Sequence, residues 1–187
     1  MPRESSVILW RRLDIPGHDA CRLEPIEPGW RLTGTAVFLQ DGSPARLDYS
    51  VVCDAEWRSR DGVVRGWIAD AIVDVRIHQT AGTWAIDGMI VHDVQNCVDL
   101  DLGFTPATNV TQLRRIALEA GQAANVPAAW FDLATRSLSV LEQRYERRTA
   151  DTYWYEAPRF GYSALLQVDR TGFVRHYPGL WKAETQP

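Results

Sequence analysis

Alternation with a period of two dominates this chain and restricts it more than any other feature. In "LDYSVVCDAEW", Leu47, Tyr49, Val51, Cys53, Ala55 and Trp57 fall on one face, while Asp48, Ser50, Asp54, Glu56 and Arg58 fall mainly on the other. Successive side chains point to opposite sides of a strand, so such a segment folds as a half-buried antiparallel strand with a core on one side. In "RDGVVRGWIADAIVDVRIH", Asp61-Gly62 reads as a hairpin turn that precedes Val63, Trp67, Ala69, Ala71, Val73, Val75 and Ile77 on a common face. "GWRLTGTAVFLQDGSPARLDY" reads as another hairpin, turning at Asp41-Gly42, and "GTWAIDG" as a short strand with Trp84 and Ile86 together. Near the C-terminus "LEQRYERR", "TYWYEAP", "FGYSALLQVD" and "GFVRHYP" repeat the pattern, with Arg170 to Gly172 as a turn.

One segment keeps a different period. In "NVTQLRRIALEAGQAA", Val110, Leu113, Ile116, Ala117 and Ala120 hold helical spacing, with Asn109 as the expected N-cap and Gln112 placed to complete a capping box. The expectation is a mainly β single domain over residues 1–187, antiparallel, with one main helix after the first half of the strands. A chain of this length buries a core without staples. Cys21, Cys53 and Cys97 are odd in number and form no C-x-x-C pair, which argues against a disulfide framework or a zinc ribbon. Twenty Lys and Arg against 24 Asp and Glu give a net charge of -4, which disfavours a nucleic-acid partner. The opening "MPRESSVILWRRLD" has only a short apolar run, too little for a secretory signal or a membrane span, so a cytoplasmic location is expected.

The chemistry-bearing stretch is "DLDLGFTPATN", followed by Arg114 and Arg115. Val98, Leu100, Leu102 and Phe104 make one strand face and leave Asp99 and Asp101 on the other. Alternation alone produces that pair, and hard cations want six or more oxygens, so a solvated or hydrogen-bonded strand face is expected in place of a metal site. No cofactor is implied. "GYSAL" lacks the second glycine of a nucleophile elbow, and no G-x-G-x-x-G, P-loop or H-E-x-x-H pattern occurs. His18 and Cys21 lie close in an expected turn, with no third group in view. Carboxylate pairs for glycoside hydrolysis depend on spatial separation, and nothing along the chain selects a pair. Binding chemistry is better supplied. "EQRYERRTADTYWYEAP" gathers Arg144, Tyr145, Arg147, Arg148, Tyr153, Trp154 and Tyr155, either as a solvent face blunted by charge or as one wall of a polar-aromatic cleft. Flat rings with a guanidinium fork suit an amphiphile with a polar head.

These stretches, with "PAAWF", "QRYER", "YWYE", "VDRTGFVRHYPGLW", "DYSVVCDAEW" and "PGHDACRL", resemble the bacterial glycolipid-binding family, once catalogued only as a domain of unknown function. The resemblance covers nearly the whole chain. It implies one strongly curved antiparallel sheet, an incomplete barrel similar to the outer-membrane lipoprotein carriers, with helical material on its concave side. By motif it points to Asp101, Thr105, Thr108, Asn109, Arg114, Arg115, Gln143, Arg144 and Tyr145, which Tyr153 and Tyr155 join from the residue reading. The expected function is non-catalytic binding of a small glycolipid-like amphiphile, its tail on the apolar concave sheet and its head on Tyr, Trp and Arg groups. The alternatives are a hydrolase or isomerase of a lipid-like or sugar-like substrate, and an interaction module with a filled cup. Neighbouring helical residues point about 100° apart. One of Arg114 and Arg115 is therefore expected to reach Asp99 or Asp101, either as a structural ion pair or as part of a head-group clamp.

Overall fold

The computed structural model describes residues 4–184; the first three residues of the N-terminal stretch read above lie outside them. The alternating segments become strands. From the N-terminal side these are β1 (Ser6–Arg12), β2 (Gly17–Ile26), β3 (Gly29–Gln40), β4 (Ser43–Cys53), β5 (Ser59–Ile68), β6 (Ala71–Thr80), β7 (Thr83–Ile86) and β8 (Met89–Val91). After β9 (Asp99–Leu102) and the helix α1 (Asn109–Ile116) come β10 (Ala123–Asn125), β11 (Ala128–Asp132) and β12 (Ser137–Leu141). The chain ends with β13 (Arg144–Arg147), β14 (Thr152–Ala157), β15 (Tyr162–Val168), β16 (Val174–Tyr177) and β17 (Trp181–Ala183). Fourteen strands form one large antiparallel sheet, in the order β10-β13-β14-β15-β16-β17-β1-β2-β3-β4-β5-β6-β7-β8. It is not closed into a barrel. A small second sheet, β12-β11-β9, has β9 and β11 parallel.

The large sheet curves because widely separated strands of it meet one inner unit, made of the small sheet and α1. From β5, the Ser59 amide donates to Val98 O (3.0 Å), and a Cβ added at Gly62 would lie 2.4 Å from Leu100 Cδ2. From β3, Phe38 stacks on Phe104 with ring centroids 6.2 Å apart. From β13 at the other end, Tyr145 is hydrogen-bonded to Asn109 on α1. A flat sheet could not touch the same few residues from all these strands. The concave face is thus occupied by the chain itself. Leu47, Val51 and Val64 are fully buried in the same core as Leu100, Leu102 and Val110, and the open apolar cup expected for an acyl tail is filled.

Several local expectations are corrected. Asp61-Gly62 is not a turn but lies inside β5, paired with Ile77 and His78 of β6. The turn sits at residues 54–58, where Asp54 Oδ1 accepts the amides of Glu56 (3.0 Å) and Arg58 (2.9 Å) and Oδ2 takes Arg60. Gly62 is needed in the strand because Leu100 occupies the space of a side chain. The next hairpin pairs Ile68 with Ala71, so Val64 faces Val75 inside while Trp67 faces Ile72 outside; Val63 and Trp67 do not share the face of Val73, Val75 and Ile77. The helix is also shorter than its apolar spacing suggests. Ala117 turns left-handed (φ 44°) and donates to Leu113 O, and the following chain becomes β10. Asn109 is not the N-cap. Thr108 holds that place with helical backbone and no side-chain cap, because tight turns from Pro106 and Ala107 carry the chain into the helix. His18 lies in β2 rather than a turn, pointing out to Glu184 while Cys21 points into the core.

The strand β9 has one flank with no strand beside it, yet its donors are satisfied by side chains: Leu100 N–H donates to Ser59 Oγ (2.9 Å) and Leu102 N–H to Thr108 Oγ1 (3.3 Å). Ser59→Ala would orphan a buried amide, which costs about 1–3 kcal/mol. Urea unfolding of this variant is expected to show that loss, and an unchanged midpoint would remove Ser59 as the anchor of the inner unit.

Candidate functional site

Asp99 and Asp101 are both buried, so β9 does not present a solvated face. Alternation separates one face from the other only where one of them meets water; here α1 and the β12–β13 link cover the second. The two carboxylates take different partners. Asp99 receives Arg115 at 2.6 and 2.9 Å, a paired fork from α1. Asp101 Oδ2 accepts Gln143 Nε2 (2.7 Å) and Gln112 Nε2 (3.3 Å). The amides are held in turn by Tyr145, whose hydroxyl lies 2.8 Å from Gln112 Oε1 and 3.3 Å from Gln143 Oε1 and accepts Asn109 Nδ2 (2.7 Å). Asn109 and Gln112, read from sequence as a capping box, are side chains of this network. Burial raises the pKa of both aspartates; Arg115 offsets it at Asp99, and Gln143 and Gln112 offset it at Asp101.

Beside Asp101 a cleft of about 390 Å³ opens between the inner unit and strands β14 to β17. Asp101, Thr105 and Asn109 contribute polar groups. Trp130, Tyr155, Phe160, Tyr162, Tyr177 and Trp181 contribute rings. These rings contact one another: Trp130 meets Phe160 edge-on (5.4 Å), and Tyr155, Tyr162 and Tyr177 form a cluster with centroids 5.4–6.2 Å apart. A Cβ at Gly103 would sit 2.3 Å from Trp130 Nε1, so only glycine lets that ring close the wall. Burial pushes the Tyr155 hydroxyl well above its ordinary range and that of Tyr162 up to about 12, leaving the tyrosines as neutral hydrogen-bonding groups.

Of the residues singled out from sequence, Asp101, Thr105, Asn109 and Tyr155 line this cleft. Gln143, Tyr145 and Arg115 stand behind it. Arg114 points elsewhere, donating to the carbonyls of Thr171 (2.8 Å) and Arg170 (3.1 Å), and shares a separate depression with Tyr153. Arg144 lies on the outer face, in an ion-pair ladder with Glu146 and Glu156. The charged side chains of this stretch therefore face solvent, while Gln143, Tyr145, Tyr153 and Tyr155 turn inward and Tyr155 reaches the cleft. Trp130, Phe160, Tyr162, Tyr177 and Trp181 are not among the residues expected from sequence, although all five stand in the stretches "PAAWF", "FGYS" and "HYPGLW".

A third buried carboxylate, which no sequence pattern marks, adjoins the site. Asp19 on β2 accepts Tyr49 Oη (3.0 Å to each oxygen) and Thr105 Oγ1, whose oxygen also takes the Ala107 amide. Burial pushes its pKa up to about 7, against the pull of the Thr105 and Tyr49 hydrogen bonds.

Over this architecture the comparisons converge. Residues 7–183 match the family described as "Putative glycolipid-binding". The chain belongs to this family. A crystal structure of a DUF1089 family protein from Pseudomonas aeruginosa is 27% identical, covers 89% of this chain and 91% of its own, and superposes with a TM-score of 0.79. No protein of curated function matches the chain. No helix among the described residues is long and apolar enough to cross a membrane.

Two consequences are measurable. Arg115→Ala strands the buried Asp99 and is expected to lower stability by about 3 kcal/mol, whereas Arg114→Ala, losing solvent-exposed bonds to carbonyls, should cost about 1 kcal/mol or less. Equal losses in denaturant titration would contradict this division. Asp19 yields a pH dependence. Between about pH 4 and 7 the folded chain holds a proton on Asp19 that the unfolded chain has released, so stability falls as pH rises through that window. The full effect is on the order of 4 kcal/mol at about 1.4 kcal/mol per pKa unit. Asp19→Asn should flatten that part of the curve, the contributions of Asp99 and Asp101 being common to both proteins; parallel curves would refute the shift.

Proposed function

We propose that the chain is a binding protein for a glycolipid or similar amphiphile, and that the cleft beside Asp101 is where the ligand is held. The observation that carries this reading is the lining itself. Six aromatic rings surround three buried polar side chains in a volume at the low end of the roughly 300–1,000 Å³ typical of small-ligand pockets. Ring faces cover the apolar side of a sugar or the first part of an alkyl chain, while a carboxylate, an amide and a hydroxyl meet its polar edge. The family description points to the same ligand class.

The catalytic alternative is less well supported. Carboxylate-pair hydrolysis needs two acids about 5–9.5 Å apart across the substrate, and the cleft lining contains one carboxylate. Asp19 lies behind Thr105 and faces no open space. The cup is filled, as the interaction-module alternative expects, but that alternative would also leave no cavity of ligand size, and the cleft weighs against it.

Two of the lining rings are tryptophans, so intrinsic fluorescence reads the site directly. Titration with n-octyl glycosides is expected to saturate, with Trp130→Ala weakening binding roughly tenfold, about 1.4 kcal/mol, while the fold persists. Undiminished binding to Trp130→Ala would move the ligand to another surface.

A further inference from the structure

The polar side chains of the cleft all lie at its buried end, among equally buried apolar neighbours such as Leu141 and Ala157, and its most exposed ring is Phe160. Asp101, Thr105 and Asn109 are 8%, 6% and 4% exposed, whereas Phe160 is 54% exposed. Thr105 is already engaged with Asp19. Asp101 and Asn109 are not fully used: both amide donors to Asp101 go to Oδ2, and Asn109 spends its amide nitrogen on Tyr145. Asp101 Oδ1 and Asn109 Oδ1 receive no hydrogen bond from the described residues. No enclosed side-chain N or O among those residues lacks a partner, so these two oxygens reach open space. The open space that both residues line is the cleft.

Two acceptors awaiting donors at the floor of a site suit O–H groups, which an acyl chain does not offer. The cleft lining includes no Arg, Lys or His. The cations around it are engaged: Arg12 lies 4.9 Å from the Trp181 ring and is paired with Asp14, Arg159 lies 4.7 Å from the Trp130 ring and donates to Ser139, and Arg115 behind the floor is paired with Asp99. An anionic group at the floor would meet Asp101 without compensation.

We propose that the ligand enters head first: a hydroxyl-bearing, non-anionic headgroup of about one sugar ring donates to Asp101 Oδ1 and Asn109 Oδ1, and its tail leaves past Phe160 to lie outside. The proposal rests on the glycolipid reading of the cleft and fixes the ligand's direction and headgroup class. It reverses the arrangement of an apolar cup, in which the tail is swallowed and the head left at the mouth.

The test is a chain-length series on the wild-type protein, followed by tryptophan fluorescence and calorimetry: methyl, butyl and octyl glycosides of glucose, galactose and mannose, with methyl glucuronide and decanoate. Head-first binding predicts that at least one methyl glycoside binds within about threefold of its octyl counterpart. The glucuronide should be at least about tenfold weaker than the best methyl glycoside, and Asp101→Asn should weaken that glycoside about tenfold. Affinity that climbs about fourfold per methylene, with decanoate competing, would overturn the head-first orientation while keeping the amphiphile reading. A glucuronide as tight as the best glycoside would overturn the non-anionic floor. Binding of none of these probes would overturn both the inference and the reading beneath it. The wild-type series decides the orientation even if Asp101→Asn fails to fold.

Discussion

A carboxylate placed inside a protein is tolerated only when donors meet it, and Asp101 is met by two amides from distant parts of the chain, Gln112 on the helix and Gln143 before β13. Much else follows from that requirement. Tyr145 can satisfy both glutamines only from the inner face of β13, and Asn109 can reach Tyr145 only if the helix begins beside it. Hydrophobic burial is non-directional and would let the helix slide or rotate on the sheet. The amide network and the Asp99–Arg115 pair have fixed geometry, so they set where the helix sits and which of its faces meets β9. The floor of the cleft is the exposed side of this same network.

The inner unit also explains a cost that the fold carries. Thr105 must bridge to Asp19 and accept the Ala107 amide for the turn into the helix to hold its shape. Asp19 is thereby kept out of water, with Tyr49 as its other partner. Its raised pKa means that the charged form is disfavoured in the folded chain, a destabilising element next to the candidate site. Natural proteins sit above a stability threshold rather than at an optimum, and such a burden is tolerated within that margin.

Local pattern predicts structure here wherever the local rules agree and no distant element intervenes. The β3–β4 hairpin was readable at Asp41-Gly42 because turn chemistry and alternation agree there, and Leu47, Tyr49, Val51 and Cys53 do share the buried face. It failed where a distant element overrode a local signal. Asp61-Gly62 carries the residues of a hairpin turn, but the glycine is there to admit Leu100, a partner 38 positions away that no local pattern reveals. For the aspartate pair alternation left a solvated and a hydrogen-bonded face open, and the second is found because β9 has protein on both sides. The apolar spacing through Ala120 continued past the real helix end because the alanines there have no packing partner to hold them helical, and the chain is instead drawn into a strand against β13. Asp101, Thr105, Asn109 and Tyr155 were found through their stretches. Trp130, Phe160, Tyr162, Tyr177 and Trp181 carry no local mark of a site, because only the strand order β14-β15-β16-β17 and the inner sheet bring them together.

Whether an aromatic cleft is a site or merely an unfilled corner of a core depends on how firmly its walls are held without a ligand. A packing defect lined by loose side chains would collapse, since unfilled volume forfeits dispersion contacts. Here each wall is supported from behind. Trp181 is backed by the Arg12 guanidinium, Trp130 by that of Arg159 and by the edge of Phe160, and Tyr162 by a hydrogen bond from its hydroxyl to Pro178 O (2.6 Å). Tyr155 is braced between Tyr145 and Tyr177. The floor is fixed by the Gln112–Gln143–Tyr145 network, which leaves one oxygen of Asp101 and one of Asn109 unspent. A ligand entering such a space meets surfaces already in position and loses little affinity to ordering them. Rigid walls around unspent acceptors are a costly arrangement for a core and an economical one for recognition.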